Sequence, residues 1–251
     1  MLQQTVIIIV TIIFFWFIFT RYINTTNNMK TPSKTPSKTS SKTLDKIRSM
    51  LKRIDNIFQE HNITYWIDGG TLLGAVRHQD IIPWDDDGDI VVLHEDKDKL
   101  LQLRSKLNNY GLGLGKFWGG YKIFPLDGEK INHENRNWKW SKSCKDIESS
   151  ETFDYKFPFI DICFIEKGNK DTYTYSSEYV RRVWPNYFYK YGEIFPLKRY
   201  LFGKQFFLTG PSNPTPYLKR AYGDNWKTTA YKDYDHKNQI RHPKATFELK
   251  N

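Results

Sequence analysis

Tyr65-Trp66-Ile67-Asp68-Gly69-Gly70-Thr71-Leu72-Leu73-Gly74-Ala75-Val76-Arg77-His78, followed by Ile82-Pro83-Trp84-Asp85-Asp86-Asp87-Gly88-Asp89-Ile90-Val91-Val92, decides how this chain is read. One apolar strand ends in a glycine pair, and a second begins in a cluster of four aspartates. Alternate strand residues share a face, so an extended Asp85–Asp89 segment brings Asp85, Asp87 and Asp89 together and turns Asp86 away. Three crowded carboxylates repel one another. A hard divalent cation relieves the repulsion, and oxygen ligands suit Mg²⁺ or Mn²⁺. A solvated turn with Asx hydrogen bonds is the plainer alternative. Trp84 before the cluster and Ile90-Val91-Val92 after it place the aspartates at the rim of a buried strand. An EF-hand loop fails on spacing: counting from Asp85, its required glycine falls on Ile90.

Gly69 and Gly70 let a phosphate approach the backbone, and a helix from Thr71 to Arg77 would present free N–H groups to it. Arg77 and His78 follow that helix and could hold a donor phosphate. An ordinary tight turn and surface charge are the competing readings. Asp161 sits in Phe157-Pro-Phe-Ile-Asp-Ile-Cys-Phe-Ile165, apolar on both sides. A lone buried carboxylate is expensive, so Asp161 needs a partner or a metal. A Gly-Gly turn, an Asp-x-Asp motif and a core-strand carboxylate together form the constellation of metal-dependent nucleotidyl and phosphoryl transfer. Nothing supports a Ser-His-Asp or Cys-His nucleophile.

The chain has 251 residues, 16% of them aromatic, and a net charge of +10. Residues 1–46 carry six basic side chains against Asp45 alone, so half of the excess lies in a short N-terminal stretch. The remainder is too thinly spread for a nucleic-acid groove, and no nucleic-acid partner is expected. Leu2–Thr20 has no charged side chain and, with Tyr22 and Ile23, reaches bilayer-spanning length. It ends in Phe-Ile-Phe-Thr-Arg rather than in small residues, which favours an uncleaved anchor over residues 1–23 rather than a signal peptide. The Lys-rich flank after it would stay cytosolic by the positive-inside tendency. Residues 24–43, with their Thr-Pro-Ser-Lys repeat, read as a disordered stalk.

A folded domain is expected over 44–251. Leu44, Ile47, Leu51, Ile54, Ile57 and Phe58 recur at helical spacing. Strands are expected at 63–67, 89–93, 121–125 and 157–165, with a helix at 97–107. This alternation predicts an α/β (α+β) domain with a central mixed sheet. Cys144 and Cys163 lack metal-ligand spacing, and Cys163 reads as a buried free thiol.

The residues from Gly69 to His78, from Ile82 to Ile90, and Phe159-Ile-Asp-Ile-Cys163 resemble the three motifs of the LicD family, which includes fukutin and fukutin-related protein. Ile194-Phe-Pro-Leu197, Phe202-Gly203, Pro211-Ser-Asn213 and Ala221-Tyr-Gly-Asp-Asn-Trp226 are similar in style. The resemblance implies a nucleotidyltransferase-like fold and transfer of a phosphate-linked alcohol, such as phosphocholine or ribitol phosphate, from a CDP-activated donor to a glycan hydroxyl. It implies Asp85, Asp87 and Asp89 as metal-site carboxylates, with Asp161 as a third-strand ligand or base. It also places the catalytic domain on the lumenal or exterior side of a membrane, against the positive-inside expectation. Gly88 departs from the branched apolar residue more usual there, which suggests a looser loop. The zinc-binding cysteines of fukutin-related protein have no counterpart. The competing functions are an Asp-x-Asp glycosyltransferase using a nucleotide-sugar, and a non-catalytic glycan-binding protein.

Overall fold

A computed structural model describes residues 37–136 and 154–249. The expected membrane anchor (1–23) and most of the expected stalk lie outside these residues, as does Cys144. Among the described residues no helix is long and apolar enough to cross a membrane.

Helix α1 spans Ser41–Glu60 and starts three residues before the expected Leu44 boundary. Ser40 is the reason: its hydroxyl accepts from the Thr43 N–H at 3.1 Å, a capping bond that extends the helix into the repeat. Thr39 is also tied down, donating to the Pro83 carbonyl at 2.9 Å. Ile47, Met50, Leu51, Ile54, Ile57 and Phe58 form the buried stripe of α1. Burying each such side chain contributes about 1.5–3 kcal/mol relative to exposure.

The central sheet is mixed. Strand β1 (Tyr65–Ile67) pairs antiparallel with β2 (Gly88–Leu93). β2 runs parallel to β7 (Ile160–Lys167), with Asp89 opposite Asp161. β7 pairs antiparallel with β4 (Gly120–Pro125), and β4 with β3 (Leu112–Phe117). The far end of β7 pairs with β8 (Thr172–Tyr175), which pairs with β9 (Phe188–Lys190). Short strands β5 (Glu129–Lys130) and β6 (Lys156–Phe157) pair at the side. The fold is therefore the expected mixed α/β architecture.

Helix α2 (Gly69–Arg77) links β1 to β2. The expected 97–107 helix is two, α3 (Lys97–Gln102) and α4 (Arg104–Asn109), broken where the Leu103 N–H turns back to the Leu100 carbonyl. The expected 157–165 strand starts only at Ile160, because Pro158 has no N–H to give the ladder. Beyond β8 come α5 (Glu178–Val183), α6 (Tyr191–Ile194), the hairpin β10 (Lys198–Phe202)–β11 (Phe206–Gly210), α7 (Thr215–Tyr222), and the hairpin β12 (Thr229–Asp235)–β13 (Ile240–Glu248).

Gly88 does not loosen its loop. It is the buried first residue of β2, and a Cβ there would meet Ile160 Cδ1 at 2.7 Å. The space a side chain would need there is occupied by Ile160.

Candidate active site

The site forms where β1 hands over to α2 and where β2 and β7 begin. Asp68, the N-cap of α2, makes no side-chain capping bond. Its buried carboxylate instead accepts from the Tyr175 and Tyr189 hydroxyls, both at 2.6 Å. The next residue, Gly69, has φ +47°, a conformation that favours glycine. A Cβ on Gly69 would lie 2.8 Å from Asp89 Oδ2, and one on Gly70 would lie 2.8 Å from Asp85 Oδ2. The Gly70 N–H donates to Asp89 Oδ2 at 2.9 Å, and the Asp89 N–H donates to the Thr71 hydroxyl at 2.8 Å. In this state the glycine pair makes room for two carboxylates, and the helix N–H expected to face a phosphate already faces Asp89.

Asp85 to Asp87 are not strand residues, since β2 starts at Gly88 and the Asp85 N–H turns back to the Ile82 carbonyl at 2.9 Å. The expected division of the aspartates still appears, by a turn rather than by pleating. Asp85, Asp87 and Asp89 line one cavity of about 400 Å³, while Asp86 faces His236. Gly70, Arg77, Trp84, Tyr187, Tyr222, Tyr231 and Lys232 share that wall, whereas Gly69, Thr71, His78 and Asp161 do not line it. Ligand atoms of Asp87, Asp89 and Asp161 come within 4.8 Å of one another.

Burial and mutual repulsion set the charge state of this cluster. Asp89 is pushed up to about 8 by burial, Asp161 and Asp85. Burial pushes Asp87 well above the ordinary carboxylate range; the neighbouring carboxylates add to it, against the pull of His236. Asp85 is raised by burial and by Asp86. Such crowding, with its protons held against repulsion, suits a divalent cation that would replace them. Asp87, Asp89 and Asp161 could hold it, and Asp86, Asp87 and His236 form a second group of comparable spacing.

Two side chains expected near a phosphate behave differently from each other. Arg77 reaches the cavity and donates to the Trp226 and Thr229 carbonyls at 2.7 and 3.2 Å, bracing the C-terminal segment. His78 is lowered to about 4 by burial and by the Arg77 charge, so it is neutral near pH 7. It packs edge-on against Trp84, with ring centroids 5.7 Å apart.

Two further cations flank the cluster and have no signal in the local sequence. His236 Nδ1 lies 2.8 Å from Asp86 Oδ1, and its Nε2 lies 3.1 Å from Asp87 Oδ2. Burial opposes its charge, but Asp87 and Asp86 outweigh that and raise it to about 10. It stands 150 residues from Asp86, so only the tertiary fold brings it there. Lys122 on β4 is buried and donates to Asp161 Oδ1. Cys163 is a free thiol, as expected, but half-buried rather than buried.

Comparison with known proteins agrees with the motifs. The LicD/FKTN/FKRP nucleotidyltransferase-domain model matches residues 62–213. An uncharacterised protein of Rickettsia prowazekii is 32% identical over 173 residues, covering 69% of this chain and 52% of that protein. The chain thus spans about half the length of this relative. Ribitol 5-phosphate transferase FKRP of Homo sapiens is 41% identical over 58 residues, covering 23% of this chain and 12% of that protein. The lipopolysaccharide cholinephosphotransferase LicD of Haemophilus influenzae is 51% identical over 39 residues, covering 16% of this chain and 14% of that protein. Among solved structures, the lincomycin-bound lincosamide antibiotic adenylyltransferase LnuA aligns at TM-score 0.36 and 17% identity, covering 70% of this chain and 82% of that one. With the domain match running across both aspartate-bearing motifs and the glycine turn, the chain belongs to the LicD/FKTN/FKRP family.

Proposed function

We propose that this chain is a metal-dependent phosphotransferase that moves a phosphate-linked alcohol from a CDP-activated donor to a glycan hydroxyl. The observation that carries the reading is the convergence of Asp87, Asp89 and Asp161, from a turn and two parallel strands, beside a cavity lined by Asp85, Gly70 and Arg77. Two relatives support the class of reaction, since they are named for transfer of ribitol 5-phosphate and of phosphocholine. Asp87, Asp89 and Asp161 would hold Mg²⁺ or Mn²⁺, with Asp85 beside them. The bound ion supplies neutralisation of donor diphosphate charge. Arg77 adds a fixed positive charge at the cavity wall. The acceptor oxygen forms a bond to the phosphorus distal to cytidine, the bond from that phosphorus to CMP breaks, and a site carboxylate takes the hydroxyl proton. Orientation and preorganised charge carry most of the acceleration in such a transfer. The segment over residues 1–23 would tether the enzyme as a single-pass membrane protein.

The test is CMP release by the purified full-length chain. CDP-choline, CDP-ribitol, UDP-sugars and GDP-sugars are each supplied with glycan acceptors, with and without Mn²⁺. Metal-dependent CMP release from a CDP-alcohol is expected. Turnover of a nucleotide-sugar instead would overturn the reading in favour of a glycosyltransferase.

A further inference from the structure

The metal-ligand face carries its own cation. Asp89, Asp161 and Lys122 occupy paired positions on β2, β7 and β4, so the three side chains form one row across the sheet. The Lys122 ammonium donates to Asp161 Oδ1. It lies 3.5 Å from the ring centroid of Phe159, 4.3 Å from that of Phe117 and 5.1 Å from that of Tyr155. Three aromatic faces attract the charge and leave its side chain only 6% exposed. Asp161 therefore already has a positive partner fixed on one oxygen, while a carboxylate oxygen of it lies within 4.8 Å of ligand atoms of Asp87 and Asp89.

We propose that Lys122 is a positioning residue that fixes Asp161 and, as a like charge beside the ion site, keeps the affinity for a free divalent ion low, so that the ion is held firmly only together with an anionic donor diphosphate. This rests on the metal-site reading above. A fixed positive charge a few ångströms from a divalent ion opposes its binding, and a bound diphosphate offsets that opposition.

The test is calorimetric titration of the full-length chain with Mn²⁺, alone and with saturating CDP. Wild type is compared with Lys122→Met and Lys122→Gln, and each variant's melting temperature is measured in parallel. In wild type, CDP should tighten Mn²⁺ binding by about tenfold or more. Both substitutions should tighten Mn²⁺ binding without CDP by about tenfold, while the gain on adding CDP shrinks. Glutamine keeps a donor to Asp161 but no charge, so wild-type affinity in Lys122→Gln would mean that only the hydrogen bond matters and would overturn the proposal. Weaker Mn²⁺ binding in folded variants would assign Lys122 a purely structural role. If neither variant folds, equal Mn²⁺ affinity of wild type with and without CDP overturns the proposal by itself. Failure of wild type to bind Mn²⁺ under any condition would instead remove the metal-site reading on which it rests.

Discussion

Asp89→Asn perturbs the site most sharply, because the native carboxylate works against folding when no ion is bound. Asp89 is pushed up to about 8, whereas an unperturbed aspartate titrates near 3.8. The folded state then keeps a proton that the unfolded chain has lost. The destabilisation is absent below pH 3.8, grows as pH rises, and is complete above about 8. One pKa unit is worth about 1.4 kcal/mol, so raising the pH from about 5 to about 7.5 costs up to about 3 kcal/mol at this group. Asparagine carries no charge and escapes this cost. Its amide oxygen can still accept from the Gly70 N–H, so that bond adds little pH dependence. The stability of Asp89→Asn relative to wild type should therefore climb by about 2–3 kcal/mol between the two pH values, or about 5–10 °C in melting temperature. Thermal denaturation in EDTA across that range measures it. Parallel pH profiles for the two proteins would refute the claim that Asp89 is a buried, repelled carboxylate. Adding Mn²⁺ should stabilise wild type and leave the variant unmoved.

Three further outcomes are expected. Asp87→Ala should abolish transfer while circular dichroism shows a retained fold, and full activity with metal present would sink the site assignment. His236 is raised to about 10 by Asp87 and Asp86, so its stabilisation is complete below its unperturbed value of 6.5 and fades as pH rises through 10. His236→Gln should accordingly melt below wild type at pH 6 and converge with it above pH 10, as scanning calorimetry would register; a constant gap would contradict it. Gly88→Ala drives a methyl toward Ile160 Cδ1, at 2.7 Å, and should destabilise by about 1–3 kcal/mol in urea denaturation. Ile160→Val removes that carbon, so the double variant should recover part of the loss, whereas simple additivity would show that the two do not touch.

Much of the fold was legible because the informative residues are close in sequence. Ile47, Leu51, Ile54 and Phe58 announce α1 by spacing, and Asp89 followed by Ile90-Val91-Val92 announces β2. Asp161 could be paired with that motif because a carboxylate in an apolar strand demands a partner. What stayed hidden depends on distance or on sterics. His236 and Lys122 reach the cluster only through the C-terminal hairpin and through the register of β4 against β7. The glycine pair reads from sequence as a phosphate cradle, yet the space it opens is filled by Asp85 and Asp89. His78 reads as a phosphate holder, while burial and the neighbouring Arg77 charge lower it to about 4 and Trp84 packs edge-on against it.

The central claim is a cytidine-diphosphate donor held with a divalent ion at Asp87, Asp89 and Asp161. Thermal stabilisation of the full-length chain by CDP, CMP, UDP and GDP, each with and without Mn²⁺, tests it most directly. The account predicts a rise in melting temperature with CDP and CMP that requires Mn²⁺ and disappears in Asp87→Ala. A preference for UDP or GDP, or stabilisation that ignores the metal, would contradict it.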